Sequence, residues 1–189
     1  MVGQPVLIAF GSNIDPVENL HRGLNLLHQR IGIRQVSTVW RTQPLPDPDH
    51  PGMGDQGSEY CNGVVLLHEN ANLRPPLQLR HCLREIEHQC GRVRGPLRYA
   101  PRPLDLDIIL MGSLVFAAEG CLLPDPDLLQ RPFVAVPCAE LLPDLIHPSL
   151  GLPLLALAQR FPITSDTMRP DPETTRRLSS IAQQMVGVP

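Results

Sequence analysis

Not one lysine occurs among the 189 residues; all 16 basic side chains are arginine. That absence excludes a Walker-type phosphate loop, a Schiff-base lysine and a lysine general base. Cysteine is odd in number (Cys61, Cys82, Cys90, Cys121 and Cys138), and no two form a C-x-x-C pair. Neither a disulfide framework nor a structural zinc site of the usual spacing is expected; the thiols read as small buried groups in a reducing compartment. The seven histidines contain no H-x-x-x-H pair, which leaves no zinc site of that kind either. No segment reaches the ~20 apolar residues of a membrane span. The N-terminus lacks a basic region followed by an apolar run, so no signal peptide is expected. A net charge of −3 and a pI of about 6.1 give no electrostatic footprint for nucleic acid. The expectation is a soluble cytoplasmic protein.

What the chain has in excess is proline, 22 residues, more than double the usual ~5%. Much of it is therefore expected in loops and extended segments. Hydrophobic residues, at 42%, suffice for one core at this length. Pro5–Phe10 reads as a strand ended by a turn at Gly11-Ser12-Asn13. Asp15, Pro16 and Glu18 predict a helix start with Asp15 as its side-chain cap. Leu20, Leu24, Leu27 and Ile31 then recur at helical spacing up to Gly32. Ile33–Thr42 predicts a second strand, and residues 43–59, with four prolines and three glycines, a long functional loop. Tyr60–His68 predicts a third strand, Pro75–Cys90 a second helix, and Leu104–Met111 a fourth strand. That order predicts an α+β fold with a ferredoxin-like split βαβ core (βαββαβ), an antiparallel sheet with two helices on one face. Residues 112–160 read as a C-terminal appendage of short elements, ending in a helix within Gly151–Phe161. Residues 162–189, poor in large apolar side chains, are expected to be a flexible or weakly helical tail.

Chemistry concentrates in Gly91–Leu110, G-R-V-R-G-P-L-R-Y-A-P-R-P-L-D-L-D-I-I-L. Arg92, Arg94, Arg98 and Arg102 fall in a Pro/Gly-rich loop, where four guanidinium groups repel unless an anion joins them. Arginine forks suit phosphate. Directly after them comes Asp105-Leu106-Asp107. On a strand, residues two apart face one side, so the carboxylates converge, with Leu104, Leu106 and Ile108 on the other face. Paired carboxylates repel unless a cation intervenes, and magnesium is commonly held by one or two of them with substrate phosphates. An edge strand blunted by inward charges is the plainer alternative; the four arginines favour a metal-nucleotide site. Tyr60 and Asn62 share a strand face after the long loop, a pair suited to stack on and hydrogen-bond a flat heterocycle.

These residues resemble the 6-hydroxymethyl-7,8-dihydropterin pyrophosphokinase family, from about Val6 to Phe161. The markers are A-F-G-S-N (9–13), R-T-Q-P-L (41–45), Y-C-N (60–62), R-P-F (131–133), L-L-P-D (141–144) and above all G-R-V-R-x-x-x-R-Y-A-P-R-P-L-D-L-D-I (91–108). The resemblance makes residues 1–161 a pyrophosphokinase-like catalytic domain. It implies transfer of pyrophosphate from ATP to the hydroxymethyl of a reduced pterin, giving AMP, in folate biosynthesis, by a monomer. Asp105 and Asp107 would hold two Mg2+ ions, and Arg92 and Arg102 would act on the transferring phosphates. Arg84, Arg94, Arg98, Tyr99, Ile108 and Arg131 would lie along the nucleotide. Tyr60 and Phe133 would stack on the pterin, read by Asn62 and by the chain around Thr42, Pro44 and Leu45.

The chain departs from the family pattern mostly on the nucleotide side. Asp125 stands where the family has a histidine, Tyr99 replaces a loop tryptophan, Ala100 a glycine, and Gly95 a basic residue. Segment 43–59 is long. Two variants therefore stay open: the same transfer on a pterin for a methanopterin-type cofactor, and a weakly active pterin- or nucleotide-binding relic. An RNA-binding module is disfavoured by the acidic pI and the absence of interleaved aromatics.

Overall fold

In chain order the elements are β1 (Val6–Ser12), α1 (Pro16–Arg30), β2 (Ile33–Val36), β3 (Trp40–Thr42), β4 (Tyr60–Leu67), α2 (Pro76–Gln89) and β5 (Asp105–Met111). Then follow β6 (Phe116–Ala118), β7 (Cys121–Leu123), α3 (Asp127–Gln130), α4 (Pro132–Leu141), α5 (Leu154–Ala158), β8 (Arg169–Pro170) and α6 (Pro172–Ser179). This is a computed structural model, and it describes residues 4–44, 58–69, 74–93 and 100–184.

The main sheet runs β5-β1-β4-β3-β8, with β2 also paired to β4, and every pairing is antiparallel. Strand β1 is central because it is apolar on both sides, and each side is covered by a helical layer. Val6, Ile8 and Phe10 pack with Leu20, Leu24 and Leu27 of α1 and Leu79, Leu83 and Ile86 of α2. Leu7 packs with Val64, Leu66 and Ile109 against Leu128 of α3, Val134 and Cys138 of α4, and Leu157 of α5. The protein is thus mixed α/β around an antiparallel sheet. No helix among the described residues is long and apolar enough to cross a membrane.

Several expectations are corrected. The first strand does not stop at Phe10: Gly11 and Ser12 continue it. Asp15 makes no side-chain cap; it takes a left-handed φ of 40°, and Glu18 turns outward to Arg177. The single strand expected over 33–42 is broken in two. Ser37 causes the break: its Oγ accepts the Val64 N–H at 2.9 Å while its own N–H reaches Val64 O. Residues 112–160 are no appendage, since α3, α4 and α5 supply the second layer of the core. After Phe161, the described segment through residue 184 includes the helix α6 and packs on the core. Met168, Leu178 and Ile181 are buried, the last two fully, and each such side chain contributes about 1.5–3 kcal/mol. Its polar composition hid three apolar anchors.

Candidate active site

Strand register assembles the site. Gly11 stands opposite Asn62 on one side and Asp105 on the other; Ala9 stands opposite Val64 and Asp107. Residues in such a row face the same way. One face therefore carries an amide at one end of the row and two carboxylates at the other, with only Gly11 and Ala9 between. A side chain at Gly11 would crowd the site, because a Cβ there would lie 2.7 Å from Asn62 Oδ1 and force that amide to shift. The space left open is a cavity of about 210 Å3, lined by Tyr60, Asn62, Arg102, Asp105, Asp107 and Phe133 among others.

On the amide side, Thr42, Pro44, Tyr60, Asn62 and Phe133 all reach the cavity. Asn62 is nearly buried and donates from Nδ2 to Thr42 Oγ1 at 2.8 Å. This bond turns its Oδ1 towards Gly11 and the cavity, as an acceptor for a ligand N–H.

On the acidic side the two aspartates differ. Asp105 accepts from Arg92 Nη1 through Oδ1, and from Arg102 Nη1 through Oδ2 at 2.5 Å. Burial works to raise its carboxyl, but the two guanidinium groups hold it below the usual carboxylate range. Arg92 also pairs with Glu87 at 2.6 Å, and Glu87, 1% exposed, accepts the Leu106 N–H at 2.9 Å. Arg102 is fixed by a reciprocal pair with Asn13: its N–H donates to Asn13 Oδ1 at 2.8 Å, and the Asn13 N–H donates to its carbonyl at 3.2 Å. Asp107 is exposed to the cleft, and desolvation and the negative charges of Asp105, Glu87 and Asp125 outweigh the opposing charge of Arg92. Together they push its carboxyl up to about 7.

Asp125 closes the wall beyond β5. Its N–H donates to Ile109 O at 2.9 Å, and its Oδ1 accepts the Asp127 N–H at 2.8 Å. Arg131 lines the same cavity and lies 3.6 Å from Asp127.

The cavity thus gathers Thr42, Pro44, Tyr60, Asn62, Phe133, Arg102, Asp105, Asp107 and Arg131 from the sequence-derived set. Arg84 and Arg92 instead border an open groove beside α2, with Arg30 and Glu85. The Ile108 side chain lies on the opposite face, in the core with α1 and α2, so a side-chain contact to a ligand in the cavity is excluded. Leu45, Arg94, Arg98 and Tyr99 lie outside the described residues. Sequence reasoning missed Glu87, the buried carboxylate behind Arg92. Its signal was present: it continues the buried Leu79–Leu83 spacing of α2, where a charge is out of place unless paired. Gly11 and Ala9 were missed because strand pairing alone reveals what smallness there achieves.

A family model described as 7,8-dihydro-6-hydroxymethylpterin-pyrophosphokinase (HPPK) matches residues 7–143. The chain is 36% identical over 145 residues to the 2-amino-4-hydroxy-6-hydroxymethyldihydropteridine pyrophosphokinase of Haemophilus influenzae, covering 75% of this chain and 84% of that protein. It is 33% identical over 164 residues to the protein of the same name from Synechocystis, covering 84% and 77%. It also matches the folic acid synthesis protein fol1 of Schizosaccharomyces pombe at 34% over 158 residues, 82% of this chain but only 20% of that one. Among solved structures, wild-type Plasmodium falciparum HPPK-DHPS aligns with a TM-score of 0.63 over 84% of this chain and 44% of that chain, at 12% identity. That last likeness is one of fold.

Proposed function

Because the chain belongs to the 7,8-dihydro-6-hydroxymethylpterin-pyrophosphokinase family, we propose that it transfers pyrophosphate from ATP to the hydroxymethyl group of 6-hydroxymethyl-7,8-dihydropterin. The products are AMP and the pterin diphosphate, on the route to folate. The observation that carries this reading is the cavity in which an amide-and-aromatic wall faces a carboxylate-and-arginine wall across Gly11 and Ala9. One wall suits a flat, hydrogen-bonding heterocycle and the other a metal-bound polyphosphate.

We read Tyr60 and Phe133 as the stacking pair and Asn62, held by Thr42, as the group that reads the pterin edge. Pro44 completes that wall. Arg102, tied to Asn13, directs its guanidinium to the transferring phosphates, and Arg131 lines the donor side. Arg92 reaches the same centre through Asp105, and Arg84 offers charge along the α2 groove.

The donor set fits magnesium. Asp105 and Asp107 supply hard oxygens, and the like charges that raise Asp107 mark an excess of negative charge that a cation relieves. Among the described residues no group of three or more His, Cys, Asp or Glu could hold a metal, so the remaining ligands would come from triphosphate and water. Asp105 and Asp107 would hold two Mg2+ ions, which neutralise phosphate charge and activate the pterin hydroxyl when bound. The protein's part is positioning and fixed charge: its arginines are pre-oriented by Asp105, Glu87 and Asn13.

We further read the core strands as the split βαβ layout, supported by the order β5-β1-β4-β3, and the protein as a cytoplasmic monomer with magnesium, ATP and a reduced pterin as its small-molecule partners. The test is AMP release measured with and without the pterin and with and without magnesium. AMP formed only with both is the expected result; AMP without pterin, or none under any condition, overturns the reading.

A further inference from the structure

The segment after Phe161 lies beyond residues 7–143 of the family match, yet it touches the strands that bear the pterin wall. Strand β8 adds to the edge of β3, pairing Trp40 with Pro170 and Arg41 with Arg169. Asp171 is the pivot. Its Oδ2 accepts from Arg41 Nε at 2.7 Å, and Arg41 Nη2 stands at the same distance in an ion pair. Its Oδ1 accepts the Thr174 N–H at 3.0 Å and so caps α6, while its own N–H donates to Val39 O at 2.8 Å. Thr175 Oγ1 accepts the Val39 N–H at 2.8 Å. The start of α6 thus takes both main-chain groups of the residue leading into β3.

A second grip holds the start of β4. Arg169 Nη2 donates to Glu59 Oε2 at 2.6 Å, and Gln43 Nε2 reaches Glu59 Oε1 at 3.3 Å. These two grips lie directly behind Thr42 and Tyr60, both of which line the cavity. Beyond them the segment is rooted in the core by Leu178 and Ile181, and Gln184 O bonds to His28 Nε2 at 3.1 Å. β3 is three residues long, and a strand so short at a sheet edge frays unless covered.

We propose that Asp171 and Arg169 are positioning residues for the acceptor substrate: the C-terminal segment holds β3 and the start of β4 in the register that aims Thr42, Asn62 and Tyr60 at the pterin. The inference rests on the proposed function. A carboxylate bonded to both an arginine fork and a helix start transmits the position of α6 to β3 as a rigid link. The donor wall on β5 lies across the sheet and makes none of these bonds, so the effect falls on one substrate.

The test compares wild type with Asp171→Asn and Arg169→Ala, well below their melting temperatures, by steady-state kinetics and by direct titration of the pterin in the presence of magnesium and a non-hydrolysable ATP analogue. Asp171→Asn is expected to raise the pterin KM and Kd about tenfold, against the hundredfold that a full ångström of misplacement costs, with the ATP KM unchanged. Arg169→Ala, which breaks an exposed pair and leaves the core intact, is expected to give a smaller rise of roughly threefold. Asp171→Glu should recover part of the loss. Unchanged pterin KM and Kd in folded variants, or equal rises for ATP and pterin, overturn the inference. Wild type that forms no AMP from ATP and the pterin with magnesium overturns the proposed function instead.

Discussion

The two edges of the sheet are finished in opposite ways. At one edge, β5 begins with two carboxylates, and around Asp107 the negative charges of Asp105, Glu87 and Asp125 outweigh the positive charge of Arg92. At the other, β3 is covered by β8 and gripped by the Asp171 network. The first edge carries charge that, under the proposed function, a bound metal and polyphosphate would complete. The second is built for shape, with its hydrogen bonds closed inside the protein. A site that joins a charged donor to a flat acceptor needs one edge of each kind, and a single sheet supplies both because β1 between them is small at Ala9 and Gly11.

The largest effect should come from the charged edge, and it should split the aspartates. Asp107→Asn is expected to lower AMP formation by three orders of magnitude or more, as loss of metal-held charge costs several kcal/mol, while the melting temperature stays level or rises because like charges are relieved. Asp105→Asn should lose activity equally and stability as well, by about 1–3 kcal/mol. It removes the carboxylate charge that Arg92 and Arg102 share, but Arg92 keeps its pair with Glu87 and the residual exposure of both keeps the cost below that of a fully buried pair. Denaturant unfolding of both variants checks this; equal stabilities would show that Asp105 has no structural share.

Next in size is the covered edge. Leu178→Ala removes a fully buried side chain and should cost about 2–5 kcal/mol, with β3 loosening first in hydrogen exchange. A cost within error would mean that the C-terminal segment is dispensable to the core.

The smallest effect is an acid one. Burial alone would raise the Asp171 carboxyl, but bonds from Thr174 and Arg41 hold it below its usual value. A depressed folded pKa gives stability that is present above the unfolded value, about 3.9, and is lost as pH falls through the folded one. The melting-temperature gap between wild type and Asp171→Asn should therefore stay constant from neutral pH down to about 5 and close below about 4. A gap that persists in strong acid would show that charge on Asp171 contributes nothing.

Much of this was legible along the chain. The Asp105-Leu106-Asp107 alternation, the Leu20–Leu24–Leu27 stripe and the Tyr60–Asn62 pair are local patterns whose period dictates which side chains share a face. The break at Ser37 was not legible, because a hydroxyl replaces a main-chain partner only where another strand offers it one. Nor was the docking of residues 168–184, where three apolar residues in a polar stretch are too few to signal burial until the groove that receives them exists.

The sequence by itself determined the chemistry: which side chains can hold metal, phosphate and heterocycle, and that arginine alone supplies the positive charge. Tertiary structure decided how those groups are divided. It made Asp105 a neutralised anchor and left Asp107 exposed to like charge. It also turned the final segment into the outer support of β3. Residue type and short-range periodicity are properties of the chain, whereas charge compensation and edge protection depend on which distant residues share a surface, and only folding settles that.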